Sequence, residues 1–582
     1  MCKTNPFQKI LMVMAVTGAL MIGCFGFAGA ADESAADESF DDYMLEEVTV
    51  TATKREMKIQ DVPQSISALT GTFLDELGYD DLEDFALAVP GLEVTSGGPG
   101  NKKIVIRGIN SFAGAALVSQ YLNEIPITGD SATNFDVRTY DLERVEFLKG
   151  PQGTLYGEGS MGGTVRMITR KPNMGAFEAS GRLSVNTVEH GDDIGYDLDG
   201  MLNIPVVRDV FGLRFVGSYR DIPGFLDNDV TGKEDENTNE LLSGRFTAQL
   251  NPMDALTITG IAYLGEQDVE GYFAARPSSL TYSADPNNAK DIESQIYDLT
   301  VQYDLGWAEL VSATGYSNQD MNTLNDLRAF VAFGNAVFSD LITFGLMPPV
   351  EQVFEDYIAD VTVFSQEVRL VSSAENRLKW TLGGFYREKE IEIFNQINSI
   401  PFVDFGAILG GAIFPPGTQI QQFSRTDKFE QMAVFGELEY ALLDTISVIV
   451  GGRYFKEEVT FRDNSFGLLL GAPNADPSPQ NSDDDFSKFV PKFAIAYQPS
   501  KDLMVYATAS EGFRSGLINT DNMLQISGMT EGGLGVDPEA MWNYELGLKS
   551  TFRDGALIFN AAAYYMDWSE RQVIQQTLIP SG

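Results

Sequence analysis

From Pro172 onward the chain alternates apolar and polar residues with a period of two, and the alternation returns in segment after segment. In Ser243–Leu250 one face reads Gly244, Phe246, Ala248 and Leu250, and the other Ser243, Arg245, Thr247 and Gln249. In Asp298–Leu305, Leu299, Val301, Tyr303 and Leu305 oppose Asp298, Thr300, Gln302 and Asp304. The same dyad runs through Leu378–Tyr386, Met432–Tyr440, Lys492–Gln498 and Tyr544–Ser550. An extended chain sends successive side chains to opposite faces, so each segment is a strand with one apolar and one polar face. Sandwiches and propellers also alternate, and the connections decide between them. Short turns (Asn251-Pro252-Met253-Asp254, Ser373-Ala374-Glu375-Asn376, Pro499-Ser500-Lys501-Asp502) take turns with long irregular segments at 267–295, 319–360, 397–426, 461–486 and 512–540. Tight turns at one end and large loops at the other are the pattern of a transmembrane antiparallel β-barrel. About fifteen strands can be counted up to Trp568. Single-chain barrels have even counts, plugged ones about 22 strands, and an open edge in lipid leaves costly unpaired backbone groups. Residues 173–582 are therefore expected to be an incomplete barrel, with several C-terminal strands missing from a truncated sequence.

The start of the chain reads as an export signal. Lys3 and Lys9 precede an apolar run from Ile10 to Phe27, and Ala28-Gly29-Ala30 offers a cleavage site, giving a signal peptide over 1–30. Met21-Ile22-Gly23-Cys24 also permits acylation of Cys24, although Met21 fits a lipobox poorly. The only two cysteines, Cys2 and Cys24, both fall in this leader, so a mature form would rest on packing and hydrogen bonds without disulfides. No later stretch approaches eighteen consecutive apolar residues, which leaves strands as the means of crossing a membrane. Residues 31–45 are an acidic, small-residue linker. Up to Pro172 the texture is that of an α+β unit. Asp80-Asp81-Leu82-Glu83 opens a helix that Pro90-Gly91 stops, with strand-like pieces at Lys103–Arg107 and Arg144–Leu148. With 83 acids against 40 bases, a net charge of −43 argues against nucleic acid as a partner. A single His argues against His-based metal, haem or triad chemistry, and no catalytic constellation marks the chain as an enzyme.

Several motifs carry a family resemblance. Glu46-Glu47-Val48-Thr49-Val50-Thr51-Ala52-Thr53 resembles the TonB box of TonB-dependent outer-membrane receptors, and Ile104-Val105-Ile106-Arg107-Gly108-Ile109 resembles the IRG motif of their plug domain. Leu142-Glu143-Arg144-Val145-Glu146-Phe147-Leu148-Lys149-Gly150-Pro151-Gln152-Gly153-Thr154-Leu155-Tyr156-Gly157, continuing to Lys171-Pro172, is similar to the most specific plug signature. Gly512-Phe513-Arg514-Ser515-Gly516 and Asn543-Tyr544-Glu545-Leu546-Gly547-Leu548-Lys549 resemble recurring barrel motifs. The likeness runs from about residue 46 to the end. One departure stands out: where many members carry V-Y-x-D-G-V, this chain reads Gln120-Tyr121-Leu122-Asn123-Glu124-Ile125-Pro126. The resemblance implies a TonB box over 46–53, a plug over 54–172 inside the barrel lumen, and an outer-membrane location. It also implies TonB, with the ExbB/ExbD complex, as the partner that supplies force. Glu47, Val48, Thr49, Val50, Thr51, Ala52 and Thr53 would be the TonB-binding residues, and as an extended β-prone segment they suit addition to a partner's sheet edge. An ordinary first strand of the plug is the plain alternative. The cargo implied is a ferric siderophore, with oligosaccharide or cobalamin as alternatives and no resident cofactor. A passive porin would need neither plug nor box.

Four further features bear on the chemistry. Gly157-x-Gly159-x-x-Gly162 matches a dinucleotide fingerprint in form, but the β-prone Gly163–Thr169 follows it, so no helix N-terminus would hold a pyrophosphate. Arg107, Arg144 and Glu545 are candidates for ion pairs locking plug to barrel. Glu545 faces away from Tyr544 and Leu546 and so points into the lumen if those two meet lipid. His190 is expected in a surface turn. Phe330, Phe333, Phe338, Phe344, Phe402, Phe405, Phe414 and Phe423 are placed to line a binding vestibule or simply to pack the loops.

Overall fold

The computed structural model describes residues 48–572 apart from 97, 101, 111–114, 130–134, 158, 272–279, 283–288, 327–351, 374–375, 401–420, 465–479 and 519–534. The leader, the acidic linker, Glu46 and Glu47 lie outside the described residues. The N-terminal part is built on β1 (Thr49–Val50), β2 (Met57–Lys58), β3 (Ile66–Thr70), α1 (Gly71–Leu77), α2 (Leu82–Ala88), β4 (Leu92–Ser96) and β5 (Lys102–Ile106). It continues through β6 (Val118–Leu122), β7 (Ile125–Pro126), β8 (Leu142–Lys149) and β9 (Gly163–Thr169). The expected helix is α2, with Asp81 as its cap and a capping box closed by Asp84. Helix α1 was not anticipated; the Thr70 hydroxyl caps it and Gly78, at φ +66°, ends it. The central sheet runs β3-β8-β9-β6-β7 and carries a core in which Phe85 meets Phe147 edge-on at 5.7 Å, among Leu122, Val145, Val165 and Met167. Gly163–Thr169 is a strand, not the helix a dinucleotide motif requires.

Fifteen strands then form one antiparallel sheet. They are β10 (Glu178–Thr187), β11 (Ile194–Val207), β12 (Phe211–Ile222), β14 (Asn239–Met253), β15 (Leu256–Glu270), β17 (Ala289–Asp304), β18 (Ala308–Asp326) and β19 (Gln352–Ser372), followed by β20 (Leu378–Ile400), β21 (Gln421–Leu443), β22 (Ile446–Asp463), β23 (Gln480–Ser500), β24 (Leu503–Arg514), β27 (Glu539–Phe552) and β28 (Leu557–Ser569). Two small pairs decorate the long-connection end: β13 (Asp227–Asn228) with β16 (Thr281–Tyr282), and β25 (Leu517–Ile518) with β26 (Gly535–Val536). Each sheet strand pairs with its sequence neighbour, so tight turns and long connections fall at opposite ends.

Burial along these strands is inverted relative to a water-soluble sheet. On β14 Arg245 is buried and Phe246 exposed; on β27 Glu545 is buried while Tyr544 and Leu546 are 50% and 60% exposed. Apolar side chains face outward and polar ones inward, the arrangement a lipid-embedded wall requires. The strands wrap around the N-terminal unit. Its residues touch β12 (Asp80 to Arg220), β15 (Asp136 to Tyr263), β19 (Lys54 to Glu367), β27 (Arg107 to Asn543) and β28 (Arg107 over Tyr564).

The strands are longer than the alternation indicated. β20 has 23 residues, roughly 75 Å at ~3.3 Å each, against about 30 Å of hydrocarbon. Its outward face reads Leu378, Trp380, Leu382, Gly384 and Tyr386, then changes to Glu388, Glu390 and Glu392. The first five fit the length of a tilted transmembrane strand, and Tyr386 sits at the rim where aromatic girdles form. Beyond that rim the outer face turns polar while Ile391 and Ile393 face inward, so the apolar-out dyad is lost while the backbone pairing continues. The segments expected as long loops are correspondingly shorter. Replacing Leu382, midway along the lipid band and 60% exposed, with Arg is expected to cost about 2–4 kcal/mol. Equilibrium urea titration in lipid vesicles measures it, with the inward-facing Thr381→Arg as the comparison.

Candidate functional site

The site is the set of contacts that seats the N-terminal segment and the plug in the lumen. Val48–Thr53 docks through β1, which pairs with β2 at Thr49–Lys58 and Val50–Met57. Val50 and Ala52 are buried against the plug and the inner wall, in a cluster with Tyr121, Tyr156 and Phe435. Glu146 of β8 organises the polar side. Its carboxylate accepts from the Thr51 backbone N–H at 2.9 Å, from Arg144 Nε at 2.8 Å and from Arg166 Nη1 at 2.8 Å. Arg166 also donates to Thr51 Oγ1 at 2.6 Å, and the Tyr156 hydroxyl donates to the Ala52 carbonyl at 2.8 Å. The segment is thus held by its backbone and hydroxyls, contacts that a partner strand can exchange for its own. Glu47 falls outside the described residues.

Arg107 and Glu545 come together. Arg107 follows β5 in a left-handed turn, with φ +57° and Gly108 at +73°, and its N–H donates to the Gly91 carbonyl. That turn aims the guanidinium at β27, where it pairs with Glu545, donates to Asn543 Oδ1 at 3.4 Å and lies 4.0 Å from the Tyr564 ring centroid. Glu545 also accepts from the Ser65 N–H at 3.0 Å and the Tyr506 hydroxyl at 2.8 Å. Arg144 does not join this pair: its described partners are Glu143 and Glu146 of the plug and Thr51 of the N-terminal segment. The reason is local. Residues two apart on a strand share a face, so Glu146 is the first carboxylate Arg144 meets. Replacing Glu545 with Gln removes the charge but keeps an acceptor. It is expected to loosen the plug by about 1–3 kcal/mol and to raise single-channel conductance and antibiotic sensitivity; unchanged conductance would refute it.

The sequence reading missed the anchors on the opposite wall, where plug acids meet barrel arginines. Asp80 takes Arg182 at 2.6 Å and Arg220 at 3.0 Å. Asp141 takes Arg214 Nε at 2.7 Å and Arg245 at 3.3 Å. The available signal was charge on the polar face of the dyad, where Arg245 already stood. Gly157, at φ +78°, closes on β22 so tightly that a Cβ there would lie 3.0 Å from the Arg453 guanidinium.

Of the candidate vestibule aromatics, Phe423 alone lies among the described residues, half-buried on β21; the other seven lie outside them. At the outer rim, Lys389 stands 4.5 Å from the Phe429 ring centroid and Arg425 4.4 Å from that of Phe461. These sit beside an apolar inner wall of Val361, Val363, Ile391 and Val459. His190 occupies an exposed turn between β10 and β11 at φ +75°, beside Glu189. Among the described residues no group of three or more metal-binding side chains occurs.

A sheet with a lipid-facing apolar band, curled around a plug that is tied to it by ion pairs, defines a plugged integral β-barrel of an outer membrane. Comparison gives the family. Residues 189–582 match the profile described as TonB dependent receptor-like, beta-barrel, and residues 58–164 match the TonB-dependent Receptor Plug Domain. The chain belongs to the TonB-dependent receptor family. It is 24% identical over 560 residues to the ferripyoverdine receptor of Pseudomonas aeruginosa, covering 91% of this chain and 61% of that protein. It is 23% identical to the pesticin receptor of Yersinia pestis, covering 92% and 73%. The chain thus spans about three fifths of the length of the former. Among solved structures, the ferric yersiniabactin uptake receptor FyuA from Yersinia pestis superposes with a TM-score of 0.70 at 16% identity, covering 88% of this chain and 73% of that one. The alcaligin receptor FauA from Bordetella pertussis gives 0.63 at 16%, covering 94% and 78%. These relatives are receptors, not enzymes.

Proposed function

We propose that the chain is an energy-coupled importer of a ferric siderophore. The observation that carries this reading is the docked, β-prone segment Val48–Thr53, held beneath the plug by exchangeable contacts. Domain limits follow the sequence: signal peptide 1–30, linker 31–45, TonB box 46–53, plug 54–172 and barrel 173–582. Cargo binds at the outer end, where cations stacked on rings and apolar wall residues face the lumen. Binding shifts the plug, the box becomes available in the periplasm, and TonB, driven by ExbB/ExbD, adds it as a strand to its own sheet edge and pulls. Force enters as strand pairing, so no hydrolysis by the receptor is needed. A ferric chelate as cargo is supported by the relatives, whose names refer to ferripyoverdine, ferric yersiniabactin and alcaligin. It also agrees with a wall whose contacts suit an organic shell around a metal better than the bare ion. The test is growth under iron limitation with a panel of ferric catecholate, hydroxamate and carboxylate chelates. Growth on at least one chelate that depends on this chain is expected. Growth on none, with uptake of an oligosaccharide or cobalamin instead, would overturn the cargo.

A further inference from the structure

Between β6 and β7 the chain turns through Asn123 and Glu124, where the common plug pattern has D-G. Asn123 adopts φ +51°, a conformation Asn tolerates, and its side-chain carbonyl accepts from the Thr169 N–H at 2.9 Å. Glu124 therefore projects a carboxylate where the pattern has no side chain. It lies among three cations from three parts of the molecule: Lys54 of the N-terminal segment at 3.5 Å, Arg166 of β9 at 3.4 Å and Arg369 of β19 at 2.9 Å. Burial by itself raises the Glu124 carboxyl, but Arg369, Lys54 and Arg166 outweigh it and hold it well below the usual carboxylate range.

Lys54 directly follows the box. Its side chain is fully buried, its ammonium lies 3.3 Å from Glu367 of β19, and it stands over the rings of Tyr121 and Tyr156 at 5.4 and 4.9 Å. A buried ammonium is tolerated only when paired. Glu367 alone is a poor partner, because it also takes Arg369 at 2.8 Å. Without Glu124, one carboxylate would face two mutually repelling cations, and the one on the short N-terminal segment is the one free to leave.

The same turn reaches the outer end of the lumen. After β7 the Ile127 N–H donates to the Gln120 carbonyl at 3.0 Å, and the Thr128 hydroxyl accepts from the Gln120 N–H at 2.8 Å. The Gly129 carbonyl then accepts from Lys389 of β20 at 3.5 Å, at the level of the outer rim. Five residues connect the carboxylate on Lys54 to the wall that faces incoming cargo.

We propose that Glu124 and Lys54 form a latch on the TonB box: cargo that displaces the segment Ile125–Gly129 withdraws Glu124 and thereby frees residues 48–53. This rests on the reading of the chain as a coupled receptor. Both are positioning residues and touch no cargo.

The test uses the full chain with Cys2→Ser and Cys24→Ser and a thiol reporter at Ala52→Cys, a buried position. Labelling by a bulky maleimide reports release of the segment. Lys54→Met is expected to speed labelling about tenfold, Glu124→Gln similarly, and Lys54→Arg to restore slow labelling. A second reporter, Ser119→Cys, buried in β6, stays protected throughout. Ferric tris-catecholate and tris-hydroxamate complexes serve as cargo probes. A complex that binds raises Ala52→Cys labelling in the parent and adds nothing in Lys54→Met. Labelling in Lys54→Met as slow as in the parent, or a matching rise at Ser119→Cys, would overturn the latch. Binding of neither complex would count against the cargo class instead, while the comparison of parent with Lys54→Met still decides the latch.

Discussion

Replacing Glu146 with Ala is expected to unseat the N-terminal segment and to cost the plug about 3–5 kcal/mol, the scale of breaking a buried, hydrogen-bonded charge cluster. Glu146 is fully buried and serves two guanidiniums and one backbone N–H. Its removal leaves Arg144 with Glu143 and Arg166 with Glu124 as their remaining carboxylates, and gives the Thr51 N–H no acceptor in the cluster. Isosteric Glu146→Gln keeps the shape and an acceptor but loses the charge, so most of the loss should remain. Protease digestion reports the segment and thermal unfolding reports the plug. Parental digestion together with parental thermal stability in Glu146→Ala would contradict this assignment.

Asp141→Ala is expected to cost a similar amount, about 3–5 kcal/mol, with a different consequence. Asp141 is the plug carboxylate shared by Arg214 and Arg245 on β12 and β14, all three buried. Its loss leaves Arg245 with plug backbone carbonyls and Arg214 with Glu178 as partners on the lumenal wall. The plug should loosen there, raising channel conductance, while residues 48–53 stay docked and protected from protease. The two substitutions therefore separate retention of the plug from seating of its N-terminal segment.

The legible parts of the fold were those where one physical pressure acted alone. Lipid outside and a polar lumen inside impose the dyad on Leu378–Tyr386 and Tyr544–Ser550, and the alternation marks each strand, its faces and the inward aim of Glu545. Beyond Tyr386 the outer face meets water, Glu388, Glu390 and Glu392 replace the apolar residues, and the strand continues without the apolar-out pattern that marked it. In the plug, Asp81 and its capping box announced α2, whereas α1 offered only a Thr cap and a closing Gly around seven residues. The site was legible where a motif fixed backbone geometry, as at Arg107-Gly108. It was not legible where partners are distant in sequence: Lys54 meets Glu367 across 313 residues. The motif makes Arg144 a candidate for the barrel, but Glu146 two residues on is the partner that strand geometry favours.

Energy coupling is tested most directly by removing residues 46–53 and measuring both surface binding and uptake of a ferric chelate that the intact chain imports. Uptake should fall at least about tenfold, with surface binding unchanged, because the segment proposed to pair with TonB is gone. Uptake at the parental rate without those eight residues would contradict a receptor driven by force on its N-terminal strand.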